Sequence, residues 1–96
     1  MTPKEAFLFM KKYRMDFKAL MLLEQMSTYA EHIQINLVVM DASREKISSP
    51  ATSYKYLGRL KRRKYVKDVW IPNQDRRCHY ISITEAGKEL LQQWSI

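Results

Sequence analysis

At Tyr65 the spacing of apolar residues changes from helical to extended, and at Thr84 it changes back. Upstream, Ser53, Leu57 and Leu60 recur at four and three residues with Tyr56 beside them, which places them on one face of a helix from Pro50 to about Arg63. Downstream, Tyr65, Lys67 and Val69 alternate with Val66, Asp68 and Trp70. Pro72-Asn73-Gln74-Asp75 then turns the chain, and Cys78 to Ile83 form a second run of period two. One hairpin, 65–83, set between helices makes the fold class mainly α with a small β-hairpin (α+β).

The other helices announce themselves by their starts. Thr2 caps a helix that opens on Pro3, has Glu5 three residues after the cap and ends near Tyr13. Asp16 caps a second, through about Thr28, and Ile33-Gln34-Ile35 alternates as a short strand. Asn36 is the expected cap of a third helix, from Leu37 to about Glu45. Ser49 before Pro50 opens the fourth, and Thr84 before Glu85 opens the last. No linker, repeat or low-complexity stretch interrupts this order, so 1–96 is expected to be a single domain. Gly58, inside the fourth helix, costs up to about 1 kcal/mol relative to alanine, a cost that a close backbone approach there would explain.

An apolar content of 46% is enough for a packed fold and argues against disorder. A chain this short has a modest core, yet it carries six Met, six Tyr, three Phe and two Trp. Some of these are therefore expected in a subunit interface. The terminal segments 3–13 and 85–96 supply Phe7, Phe9, Met10, Leu90, Leu91 and Trp94, which either cover the domain's own core or meet a second copy. The single cysteine, Cys78, forms no internal disulfide, neither His32 nor His79 has a ligand-spaced partner, and no metal or cofactor is expected. No apolar run approaches a membrane span or a signal peptide, so the expected setting is cytoplasmic, without membrane association.

The charge is informative in its placement. Residues 55–77 hold nine basic and two acidic side chains, which is the whole formal charge of +7; the remaining eight basic and eight acidic residues cancel. Such a cluster is a footprint for a polyanion. A helix entering the major groove of a duplex needs one anchored face and an opposite face of polar and cationic groups, and the fourth helix has both. Thr52, Tyr54 and Lys55 are candidates for base edges, and Arg59 for a base or the backbone. Arg62, Arg63 and Lys64 are candidates for phosphates, as is the helix N-terminus at Ser49. At the hairpin tip, Asp75 can brace one of Arg76 and Arg77 while the other enters a minor groove or grips its phosphates; the alternative is an ordinary turn with a surface ion pair.

Three separated pieces of this sequence resemble the MarR-type winged helix-turn-helix pattern: Leu60-Lys61-Arg62-Arg63-Lys64-Tyr65-Val66, Asp75-Arg76-Arg77, and Ile81-Ser82-Ile83-Thr84-Glu85-Ala86-Gly87. In that likeness Leu60 closes the recognition helix and Thr52 falls on a threonine that touches DNA. Val66 starts the wing, Asp75 is the bracing acid, Arg76 and Arg77 are the wing arginines, and Thr84 and Gly87 lead into the next helix. Lys64 stands where the pattern has glycine, and Tyr54 where a small hydroxyl residue is common. The short length is similar to SarA-like regulators and to small plasmid or phage regulators. The resemblance implies a homodimeric transcriptional regulator, bacterial or virus or plasmid encoded, that binds double-stranded DNA as a repressor; no small-molecule effector can be named from it.

The same fold could also serve a replication, partition or architectural DNA-binding factor, or a protein–protein module. An enzyme is not expected. Cys78 and His79 are neighbours on one strand and point to opposite faces, and Asp41 and Glu45 have only the commonplace i, i+4 spacing.

Overall fold

The computed structural model describes residues 2–29, 32–72 and 79–94. Their order is α1 (Pro3–Tyr13), α2 (Phe17–Ser27), β1 (Ile33–Gln34), α3 (Ile35–Arg44), α4 (Pro50–Arg62), β2 (Val66–Val69), β3 (Tyr80–Ile83) and α5 (Glu85–Trp94). The fold is mainly helical with a small antiparallel sheet, the α+β winged helix-turn-helix architecture.

Helix starts fall where local side-chain chemistry puts them. Thr2 accepts from the Glu5 amide, Asp16 from that of Lys18, Ser49 from that of Thr52, and Thr84 from that of Gly87. The exception is α3. It begins two residues before the expected Leu37, with Gln34 in the cap position and no side-chain bond there. Pairing explains the shift: the Ile35 amide donates to the His79 carbonyl at 2.8 Å, so the sheet satisfies a donor that a cap would otherwise take. Ile35 thus belongs to the helix rather than to the strand, and Asn36 is released to accept from the Tyr54 hydroxyl at 2.9 Å.

β1 pairs with β3 as well, Ile33 opposite Ile81, so the hairpin is the outer part of a three-stranded sheet ordered β1-β3-β2. Cys78, and Asn73 to Asp75 of the expected turn, lie outside the described residues.

Three helices end in the same way. Arg14, Lys46 and Lys64 adopt left-handed φ values of 52°, 58° and 65°, and the next residue's amide reaches back to close the helix: Met15 to Met10, Ile47 to Ala42, Tyr65 to Leu60. Glycine usually takes such a position, because a β-carbon costs roughly 1–2 kcal/mol there. Here cations take it, at the helix end where positive charge is favourable, and a half-buried or buried side chain follows each. The conformation also accounts for a glycine at the Lys64 position of the MarR-type pattern.

The core lies where α2, α3, α4 and α5 meet the sheet. Leu20, Leu23, Val38, Leu57, Leu60 and Ile81 are almost fully buried in it. Ser53 is buried too, and its hydroxyl is satisfied by that of Ser48 across the α3–α4 turn. Leu90 and Leu91 also belong to this core, and so are taken up by the chain's own packing rather than presented to a second copy. α1 is different, because none of its residues is buried. It rests on α5 through Phe9 and Trp94, with ring centroids 5.2 Å apart, and through Tyr13, whose hydroxyl donates to Gln93.

The two glycines have opposite roles. Gly87 packs against the α4–β2 turn: a β-carbon there would stand 2.8 Å from Cγ1 of Ile83 and closer still to the Tyr65 carbonyl oxygen. A β-carbon at Gly58 would meet nothing within 4 Å among the described residues, so none of them makes the close approach expected there. Gly87→Ala is therefore expected to destabilise by about 1–3 kcal/mol through overpacking. Gly58→Ala should stabilise by up to about 1 kcal/mol through helix propensity. Thermal unfolding should show Tm moving down for the first and up for the second.

Candidate nucleic-acid interface

α4 is held by its inner face, Ser53, Leu57 and Leu60, and the rest of its circumference sorts the basic residues into three groups. Lys55 and Arg62 are exposed on the side opposite the core, together with Ala51, and make no hydrogen bond or ion pair with described residues. Gly58 lies between them, half-buried and with open space above it. The outward strip is thus two cations around a stretch of nearly bare backbone. Sequence reading had Lys55 and Arg62 as contact candidates and singled out Gly58 for a close approach but missed Ala51, although the seven-residue spacing puts Ala51 and Gly58 on the same stripe.

On one flank, Tyr54 is tied to α3 through Asn36, and Lys61 pairs with Asp68 of β2 at 3.2 Å. At the N-terminus, Ser49 and Thr52 bond to each other through their hydroxyls at 3.0 Å, which leaves both near the outer edge but mutually engaged. On the other flank, Arg59 lies over the Tyr56 ring, 5.3 Å from its centroid, and is half-buried. Arg63 departs furthest from expectation. Its guanidinium donates to the carbonyls of Tyr13, at 3.2 Å, and of Arg14, at the end of α1. It is engaged by the chain itself rather than presented outward with Arg62, because consecutive helical residues point about 100° apart.

Lys64 and Lys67 are exposed beyond the end of α4 and on β2. Lys64 is placed by stitching: the Thr84 hydroxyl donates to its carbonyl at 2.7 Å while the Thr84 amide donates to the carbonyl of Tyr65. The expected tip residues Asp75, Arg76 and Arg77 lie outside the described residues. So does Cys78, the partner of His79 in the nucleophile–base pair weighed above. Asp41, the first of the spaced carboxylates, accepts from Tyr29 and pairs with Arg44.

A DNA complex of S. aureus MepR superimposes with a TM-score of 0.80 at 16% identity, over 96% of this chain and 71% of that one. A MepR mutant bound to an oligodeoxyribonucleotide gives 0.77 at 17%, over 96% and 64%. Wild-type E. coli MarR in its apo form gives 0.72 at 18%, over 88% and 58%. The fold is that of the MarR-type regulators. The chain spans less than two thirds of the length of several of these proteins. No protein-family model and no curated protein sequence matches it. Among the described residues, no helix is long and apolar enough to cross a membrane.

One ionisable group at the edge of the site is perturbed. The Tyr56 hydroxyl is held above its ordinary value near 10, first by donating to the Asp16 carboxylate at 3.1 Å, then by burial and by the negative charge of Asp16, with Arg59 opposing. Protonated Tyr56 is therefore the form the fold favours. Its contribution is complete below pH 10 and is lost as pH rises through the raised folded value. Urea unfolding of wild type and Tyr56→Phe should show wild type the more stable at pH 8, by about 1 kcal/mol, and that gap should narrow as pH is raised above 10.

Proposed function

We propose that this chain is a MarR-like transcription regulator that binds double-stranded DNA sequence-specifically, acts as a repressor and works as a homodimer. The observation that carries this reading is the outward strip of α4, with Lys55 and Arg62 unpaired among the described residues around Gly58, on a fold shared with a protein solved on DNA. A helix anchored on one face and bare at the centre of the other can bring its backbone close to base edges while its cations reach phosphates. Gly58, whose lack of a side chain serves no contact with the described residues, then serves the contact with the duplex.

In this reading Lys55, Thr52 and Tyr54 meet base edges, with Tyr54 braced by Asn36. Arg62, Lys64 and the α4 N-terminus at Ser49 meet the backbone, and Arg59 approaches it from the flank. The wing, 65–83, adds Lys67 and brings Arg76 and Arg77, braced by Asp75, to the backbone or minor groove. The single domain 1–96 pairs with its copy through α1 and α5. On α1, Phe7 and Leu8 are exposed and Met10 is half-buried, while Phe9 meets Trp94 of α5.

The test is the salt dependence of binding to a duplex recovered by the protein from a random library. Affinity should fall linearly on a log–log plot, and Arg62→Gln, which loses a phosphate contact, should reduce the slope by about one. Lys55→Gln should cost about 1–3 kcal/mol on the selected duplex and relax its sequence preference. Salt-insensitive binding, or recovery of no preferred duplex, contradicts the reading.

A further inference from the structure

The flank of α4 facing the α1–α2 corner is joined to it by two polar links that the groove-facing strip does not use. Tyr56 donates to the carboxylate of Asp16, the residue that also caps α2. Two helical turns on, the Arg63 guanidinium donates to the carbonyls of Tyr13 and Arg14, where α1 closes in its left-handed turn. These carbonyls are among those a helix end leaves without internal partners, so a guanidinium satisfies them and also meets the negative end of the α1 dipole.

Apolar packing holds this corner only in part: Met15 is buried in the core, and Phe9, Met10 and Tyr13 are half-buried against it. α1 has no buried residue, and Tyr56, Asp16, Arg63, Met10, Phe17 and Leu60 line a cavity of about 490 Å³ between the three helices. Across this cavity the two polar links are hydrogen bonds that join α4 directly to the α1–α2 corner.

We propose that Tyr56 and Arg63 are positioning residues that fix the angle between the recognition helix and α1, and thereby the spacing of the two recognition helices in the dimer. The inference rests on the DNA-binding reading above and deepens it. Arg63 contributes to affinity through α1 and not through a phosphate. Because a pair of recognition helices must match two half-sites about one helical turn apart, loosening this corner costs affinity and blurs the preference for half-site spacing.

The experiment measures binding of wild type, Tyr56→Phe and Arg63→Gln to the wild-type-selected duplex, and to versions with the half-sites moved apart by one and two base pairs, across a salt series. Folding is checked by circular dichroism. Each variant is expected to bind the selected duplex about three- to tenfold more weakly, the scale of one lost hydrogen bond. The salt slope should stay unchanged, and the ratio of affinities between selected and respaced duplexes should fall severalfold. A phosphate contact by Arg63 would instead lower the slope of Arg63→Gln by about one with the spacing ratio intact, which overturns the proposal. Wild-type affinity and spacing ratio in both variants overturn it as well. Tyr56→Phe changes no charge and decides the matter if Arg63→Gln fails to fold. Wild-type protein that binds no duplex overturns the DNA-binding reading itself and this inference with it, whereas wild type that binds while its variants behave as wild type overturns this inference alone.

Discussion

The inner face of α4 is where the packing of the molecule converges. Leu57 and Leu60 are each about 1% exposed and Ser53 fully enclosed, and α2, α3 and β2 all pack against this helix. Burial of each leucine contributes roughly 1.5–3 kcal/mol, a sizeable share for a small domain of marginal stability. Everything else about α4 follows from that anchorage. Once three of its residues are committed inward at spacings of four and three, the remaining positions are assigned to an outward strip and two flanks by helical geometry alone.

That assignment separates basic residues that look interchangeable in the sequence. Arg62 and Arg63 are adjacent, yet the first faces away from the core and the second is drawn under α1 by two carbonyls some fifty residues away. Lys61 is matched by Asp68, and Arg59 is laid on the Tyr56 ring. Surface pairs of this kind contribute little to stability, but they determine which cations stay available to a polyanion. On α4 those are Lys55 and Arg62.

The helix ends show a similar division of labour. The chain contains two glycines, neither at a helix terminus that needs a left-handed residue, and Arg14, Lys46 and Lys64 adopt that conformation instead. Each is followed by Met15, Ile47 or Tyr65, whose side chain is drawn inward while its amide closes the helix. The conformational cost at the cation is offset by the closing bonds and by the burial that the turn permits. At Lys64 the turn also presents two carbonyls to Thr84, which ties the start of α5 to the end of α4.

The amino-acid sequence by itself determined the number and kind of elements, four of the five helix starts, and the inward face of α4. Caps such as Thr2, Asp16, Ser49 and Thr84 act on amides two or three residues away, and the periods of apolar residues are likewise local. Only the tertiary structure decided where α3 begins, since the amide that moved its start is satisfied by His79 across the sheet. It also decided the pairing of β1 with β3 and the left-handed closures at cations where a glycine would ordinarily mark the site. The division of the basic residues between outward strip and internal bracket belongs to it as well. Each of these depends on partners far apart in the chain, and a side chain's neighbours along the sequence carry no record of which distant carbonyl or carboxylate the fold will bring within reach.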